Sequence, residues 1–107
     1  MQVQTYTVSK IETFGGLPKI EKCLKSQFKT VTIYERQRLE NLIMYLNALY
    51  RTPVDSEFDF IMFKPEFQAS VKIISSILKE HDCCTLRFLR NLITYNLQFV
   101  SGVKLIA

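Results

Sequence analysis

The stretch from residue 83 to residue 100 constrains the fold more than any other part of the chain. At the ~100° per residue of an α-helix, its apolar side chains fall into two adjacent stripes that cover about half of the helix surface. The first stripe is Leu86, Leu89, Ile93, Leu97 and Val100, and the second is Phe88, Leu92, Tyr95 and Phe99. A helix with so little polar surface either lies at the centre of its own domain or is covered by a partner.

Three further segments have the apolar spacing of amphipathic helices, at residues 18–28, 32–51 and 65–80. Pro18 and Pro65 suit the first position of a helix, where the missing N–H would have no partner in any case. Thr32 and Glu35 match a capping box, in which each side chain accepts a hydrogen bond from the backbone amide of the other residue. Together with the C-terminal segment, these signals predict four helices.

Three short segments favour strands instead. Residues 2–8 are rich in threonine, valine and tyrosine, which suit an extended chain. Residues 58–63 are too short and too aromatic a run for a helix, and residues 103–107 follow a glycine that ends the last helix. The predicted fold class is therefore α+β but mostly helical, with about four helices and two or three short strands in a single compact domain of residues 1–107.

Composition indicates an ordered chain with one core. Of the 107 residues, 48% are hydrophobic and 22% are charged, which is too apolar for a disordered chain and sufficient for one domain. The net charge of +4 excludes a strongly acidic mimic of DNA and is compatible with a nucleic acid or an acidic protein as partner. We find no signal peptide and no apolar run long enough to cross a bilayer, so no membrane association is expected.

The cysteines and the single histidine indicate free thiols rather than a reactive site. The chain contains an odd number of cysteines, and two of the three are adjacent: Cys23, Cys83 and Cys84. This pattern is typical of proteins in a reducing compartment, so we expect the protein to lie in the cytoplasm or nucleus. With His81 they lack the Cys-x2–4-Cys spacing of zinc sites. A thiol nucleophile needs a base from elsewhere in the fold, and His81 is nearly adjacent in sequence. The sequence therefore predicts no enzyme activity, metal, cofactor or small-molecule substrate.

The main functional prediction is a protein–protein interaction. The apolar surface of the C-terminal helix exceeds what a domain of this size is expected to hide internally, and aromatic residues and methionine are enriched at interface centres. The expected partner is a second copy in a homodimer, a larger assembly that contains this chain as a small subunit, or a target on which it docks as an inhibitor or accessory protein. The predicted contact residues are Phe88, Leu92, Tyr95, Phe99 and Met44.

The alternative prediction is nucleic-acid binding by the basic face of the first predicted helix. A lysine cluster of this kind neutralises several phosphates, and its binding weakens steeply with salt. The cluster carries no base-reading motif, and nearby glutamates partly balance its charge, so it also fits an ordinary solvated helix face. The candidate phosphate contacts are Lys19, Lys22, Lys25 and Lys29, with Arg36 and Arg38 just beyond.

Overall fold

The computed structural model describes residues 3–51 and 64–100 of the chain. The four helices expected from apolar periodicity are confirmed, with ends shifted by one or two residues, and a further helix precedes them. The elements are α1 (Val3–Phe14), α2 (Leu17–Ser26), a short 3₁₀ helix (Phe28–Thr30), α3 (Ile33–Arg51), α4 (Lys64–Glu80) and α5 (Cys84–Val100).

The α+β prediction is wrong, because the regular structure of residues 3–51 and 64–100 is entirely helical and contains no strand. Of the strand predicted at residues 2–8, residues 3–8 are instead the first half of α1. Thr7 and Ile11 are buried one turn apart on this helix, so the packing of a helical face outweighs the strand preference of threonine, valine and tyrosine. The strands predicted at 58–63 and 103–107 lie outside the described residues.

Local sequence signals set where the helices begin. Before α3, the Thr32 hydroxyl accepts a hydrogen bond from the Glu35 amide at 3.1 Å, and the Glu35 carboxylate accepts one from the Thr32 amide at 2.9 Å. This confirms the predicted capping box. Between α1 and α2, Gly15 and Gly16 have φ angles of 138° and 97°, which residues with a Cβ atom rarely adopt. A Cβ atom on Gly15 would lie 2.9 Å from Cδ of Lys19, so the turn also leaves room for that side chain.

The C-terminal helix α5 lies at the centre of the fold. It packs against α4, α1 and α2, while α3 packs against α4, α2 and α1. Leu86, Leu89 and Ile93 of its first predicted stripe are buried. Aromatic residues of α1, the helix that the sequence did not predict, lie against its second stripe. Much of the surface that was expected to need a partner is therefore covered by the chain itself.

A hydrogen-bonded polar pair lies within this apolar core, between α1 and α5. The Asn96 amide donates to the Thr7 hydroxyl at 3.2 Å and to the Leu92 carbonyl at 2.8 Å. Asn96 is 2% exposed and Thr7 is 1% exposed. Because a buried polar group without a partner is costly, this pair favours one position of α1 along α5.

Candidate functional site

Aromatic side chains of α1 and α5 face one another along the line where the two helices meet. The ring centroids of Tyr6 and Tyr95 are 4.1 Å apart, and those of Phe14 and Phe88 are 4.2 Å apart with an angle of 9° between the rings. All four side chains are half-buried, so part of each remains in solvent. The two residues on each helix are about two turns apart, and this matched spacing aligns the two pairs.

Two lysine side chains lie against this aromatic row. Nζ of Lys10 is 5.5 Å from the centroid of the Tyr6 ring. Nζ of Lys19 is 4.5 Å from the centroid of the Phe14 ring and donates to the Phe14 carbonyl oxygen at 3.5 Å. The negative face of an aromatic ring attracts a cation at these distances. The ring contacts therefore position the two ammonium groups. Because both lysines are exposed, their charges remain accessible to a ligand.

A depression of about 190 Å³ lies between the two aromatic pairs and is lined by Tyr6, Lys10, Phe88, Asn91 and Leu92. The surface around it combines apolar area, a shallow recess and two positive charges. We call this surface the basic–aromatic seam and define it by Tyr6, Lys10, Phe14, Lys19, Phe88 and Tyr95.

The seam carries no acidic side chain. The α5 sequence contains no aspartate or glutamate, and α1 contains Glu12 alone. The sequence of α2, which supplies Lys19, contains Glu21 alone, and its carboxylate accepts a hydrogen bond from Asn47 of α3 at 2.7 Å. Glu12 lies two positions after Lys10, about 200° around the helix. Its carboxylate lies close to Tyr50 of α3, and burial, reinforced by the negative charge of Glu12, raises the pKa of Tyr50 to about 12. Lys10 and Lys19 have no carboxylate partner within residues 3–51 and 64–100, so the seam is electropositive.

The residues predicted to form an interface lie in different environments. Phe88 and Tyr95 belong to the seam. Leu92 is only 4% exposed and is part of the core, so it offers little contact area. Met44 is 67% exposed, but it lies on α3, which contributes nothing to the seam. The side chain of Phe99 lies outside the described residues.

The predicted nucleic-acid contacts also separate into two groups. Arg36 pairs with Glu40 at 3.3 Å, and Arg38 pairs with Glu66 of α4 at 2.6 Å. The arginines therefore make contacts within the chain. The four lysines are exposed and have no carboxylate partner in the described part of the chain. They lie on α2 and the 3₁₀ helix and are Lys19, Lys22, Lys25 and Lys29.

Sequence reasoning missed half of the seam, because Tyr6, Lys10 and Phe14 lie on α1, of which only the first residues were assigned to an element, and that element was a strand. Their spacing of i, i+4 and i+8 is a helical signal, and Thr7 and Ile11 make a parallel buried series. The strand preference of the first few residues concealed this pattern, because apolar and polar side chains separate only weakly around α1.

Two larger depressions lie where the start of α3 meets α4, with volumes of about 440 and 390 Å³. Both include Glu35 and Ile73, and Glu35 is already engaged in the cap of α3. None of the residues predicted to contact a partner or a nucleic acid lines either depression. We therefore treat the seam as the candidate site.

The cysteines and His81 lie in different environments. Within the described ranges, no group of three or more His, Cys, Asp or Glu side chains is arranged to hold a metal ion. His81 is exposed at the end of α4, and Cys84 is exposed at the start of α5. Cys23 and Cys83 form a separate close pair, with their Sγ atoms 3.7 Å apart.

Comparison of the chain with protein-family models, curated proteins and solved structures finds no match of any of the three kinds. Within residues 3–51 and 64–100, no helix has both the length and the apolar character needed to cross a bilayer.

Proposed function

We propose that this chain is a non-enzymatic protein-interaction domain that binds an acidic, partly apolar segment of a protein partner at the basic–aromatic seam. The observation that carries the proposal is the position of the Lys10 and Lys19 ammonium groups over half-buried rings, on a surface without acidic side chains. Aromatic side chains at interface centres provide apolar contact area, while charges at the rim steer association and select the partner.

The chemistry of the partner follows from these contacts. A carboxylate can approach Nζ of Lys10 or Lys19 from solvent, while an apolar side chain enters the depression between Tyr6 and Phe88. Neither lysine has to leave an ion pair with a carboxylate of the described residues in order to bind. Groups that are already positioned lose less entropy on binding, which favours an acidic partner over a neutral one.

The charge of the seam argues against a homodimer through this surface. A two-fold symmetric contact places the same patch of both subunits face to face. The Lys10 and Lys19 charges of both copies would then share one contact surface to which the seam contributes no acidic side chain, and such an accumulation of like charge suppresses association. We therefore propose a different protein as partner, with this chain acting as a small subunit, an inhibitor or an accessory protein.

Reversing the charge of the seam tests the proposal. We expect Lys10→Glu/Lys19→Glu to bind an acidic probe at least about tenfold more weakly than the wild type, a loss of ~1.4 kcal/mol, because two attractive contacts become repulsive. The probe is a fluorescent peptide in which glutamates flank a leucine and a phenylalanine, and the measurement is fluorescence anisotropy. The matched control, Lys72→Glu/Lys79→Glu, makes the same change of net charge at exposed positions of α4.

We expect the control variant to bind the peptide within about twofold of the wild type, since salt screens charges that lie away from the seam. Equal weakening by both variants would mean that net charge alone governs binding. That result, or no detectable binding of the acidic peptide by the wild type, contradicts the proposal. Circular dichroism spectra establish that both variants remain folded, as expected for substitutions at exposed lysines.

A second candidate function is nucleic-acid binding by the four exposed lysines of α2 and the 3₁₀ helix. Their lack of carboxylate partners within the described residues favours this candidate. We expect Lys22→Gln/Lys25→Gln to reduce the slope of log K against log salt by about 2 for a DNA duplex, because each phosphate contact contributes about 0.9. Titration of duplex and single-stranded oligonucleotides at several salt concentrations measures this slope. Binding by the wild type that does not respond to salt would exclude the candidate.

We further propose that the protein works in the cytoplasm or nucleus. The three cysteines are all free thiols, and an odd number of free thiols is typical of a reducing compartment. Expression of the tagged chain in its source cells, followed by fractionation, tests this proposal.

A further inference from the structure

Two thiols from distant parts of the sequence meet between α2 and the start of α5. Cys23 lies on α2, and Cys83 immediately precedes α5, 60 residues later. Their Sγ atoms are 3.7 Å apart, and both side chains are partly buried. The proposed interaction function does not use this contact, so an inference from it stands or falls independently.

The two thiols differ in acidity. Burial, reinforced by the neighbouring Cys83, raises the pKa of Cys23 to about 11. Burial also opposes ionisation of Cys83, but the backbone amides of Leu86 and Thr85, together with the Cys23 thiol, outweigh it and lower the pKa of Cys83. Amides at the start of a helix stabilise a thiolate in this way. Cys83 is therefore the nucleophile of the pair, and Cys23 is the thiol held beside it.

We propose that Cys23 and Cys83 form a redox modification site that closes to an intramolecular disulfide when the protein meets a hydroperoxide. The Cys83 thiolate attacks one oxygen of hydrogen peroxide, the O–O bond breaks, and the other oxygen takes up a proton and leaves as water. The sulfur of Cys23 then attacks the resulting sulfenic sulfur. The S–S bond forms, and the sulfenic oxygen leaves as a second water with the Cys23 proton. Two thiols lose two electrons, and one peroxide is reduced to two waters.

Closure needs only a small movement. A disulfide bond is about 2.05 Å long, so the two sulfur atoms must approach by about 1.7 Å from their separation of 3.7 Å. The bond would join α2 covalently to the start of α5. Disulfides within reducing compartments are usually transient and often sense oxidants, which fits a pair of thiols that meet without being bonded.

Cys84 is the internal control for this site. It is exposed, whereas Cys23 and Cys83 are partly buried against each other. It also cannot bridge easily to its neighbour, because adjacent Cα atoms are only ~3.8 Å apart and disulfides usually span ~4.4–6.8 Å. Cys84 should therefore remain a free thiol after the disulfide has formed.

The test is oxidation of the full chain by hydrogen peroxide. In the wild type we expect two of the three thiols to be lost, a mass lower by about 2 Da, and full recovery with dithiothreitol. Cys84→Ser should lose both of its thiols in the same way, and peptide mapping should join Cys23 to Cys83. Cys23→Ser and Cys83→Ser should form no intramolecular bridge. The oxidised wild type should melt about 5 °C or more above the reduced form, because the bond closes a long loop.

The proposal is overturned if Cys84→Ser keeps two titratable thiols under conditions that oxidise small thiols. It is also overturned if Cys83→Ser bridges Cys23 to Cys84 as fast as the wild type forms its disulfide, or if the wild type gives only disulfide-linked dimers. The wild-type measurement needs no substitution, so a variant that failed to fold would still leave the proposal open to refutation.

Discussion

Replacing Asn96 with aspartate is expected to destabilise the protein by about 4 kcal/mol at pH 7, although the two side chains have the same shape. The Asn96 amide group donates to the Leu92 carbonyl at 2.8 Å, and a carboxylate would place a negative oxygen against that carbonyl. The position is 2% exposed, so the charge would also be removed from water. Chemical denaturation of the variant and the wild type in parallel measures the loss.

The loss should depend on pH with a definite sign. Burial raises the pKa of the new carboxyl group in the folded state above its value of ~3.9 in the unfolded chain. Below pH ~4 the group is protonated in both states, and its hydroxyl can donate to the Leu92 carbonyl. The variant should therefore approach the wild type at low pH and lose stability relative to it as the pH rises towards the folded-state pKa.

The matched control for this change is Asn91→Asp. Asn91 lies on the same helix and is exposed, so the same chemical substitution should alter stability by no more than about 0.5 kcal/mol. Equal effects of the two substitutions at pH 7 would show that Asn96 is not enclosed between α1 and α5. The pair of variants therefore also tests the position of α1, the helix that the strand preference of residues 2–8 concealed.

Replacing Phe67 with alanine is expected to cost about 3–5 kcal/mol of unfolding free energy. Phe67 is 1% exposed, and its ring meets that of Tyr45 edge-on, with 4.8 Å between centroids, where α4 packs on α3. Truncation removes that contact and leaves a cavity in the core. Since each kcal/mol lowers the melting temperature of a domain of ~100 residues by ~4–8 °C, the melting temperature should fall by roughly 12–40 °C.

Phe28→Ala serves as the control for the loss of a phenylalanine ring. Phe28 is half-buried on the 3₁₀ helix, where the Arg36 guanidinium lies 5.0 Å from its ring centroid. Because this ring is partly solvated already, we expect a cost of about 1–2 kcal/mol. A cost for Phe67→Ala that is no larger than that for Phe28→Ala would contradict the packing of α4 on α3 described above.

The candidate site was only partly predictable. Phe88 and Tyr95 could be identified because aromatic residues in a second apolar stripe of a helix indicate a surface that contacts another element or a partner. Leu92 belongs to the same stripe, yet it is 4% exposed. Periodicity identifies which residues share a face, but the element that covers the face decides how much of each side chain remains in solvent. Here that element is α1, whose first residues were predicted to form a strand.

The predicted basic cluster shows the same limit. Lys19 and the other lysines of α2 were expected on an exposed face, and they are exposed. The two arginines look equivalent to them in sequence, yet Arg38 is bound by Glu66, which lies 28 residues away. The position of Lys19 over the Phe14 ring depends on the turn at Gly15 and Gly16, which brings α2 back beside the end of α1.

The sequence by itself determined the four helices with strong apolar periodicity and the capping box at Thr32 and Glu35. These features follow from interactions within one or two turns, so every residue that decides them is a close neighbour in the chain. Only the tertiary structure decided that residues 3–14 form the helix α1 and how much of the α5 surface this helix covers. The contact that unites these two helices, between Thr7 and Asn96, spans 89 positions, and its free energy exists only after the chain has folded.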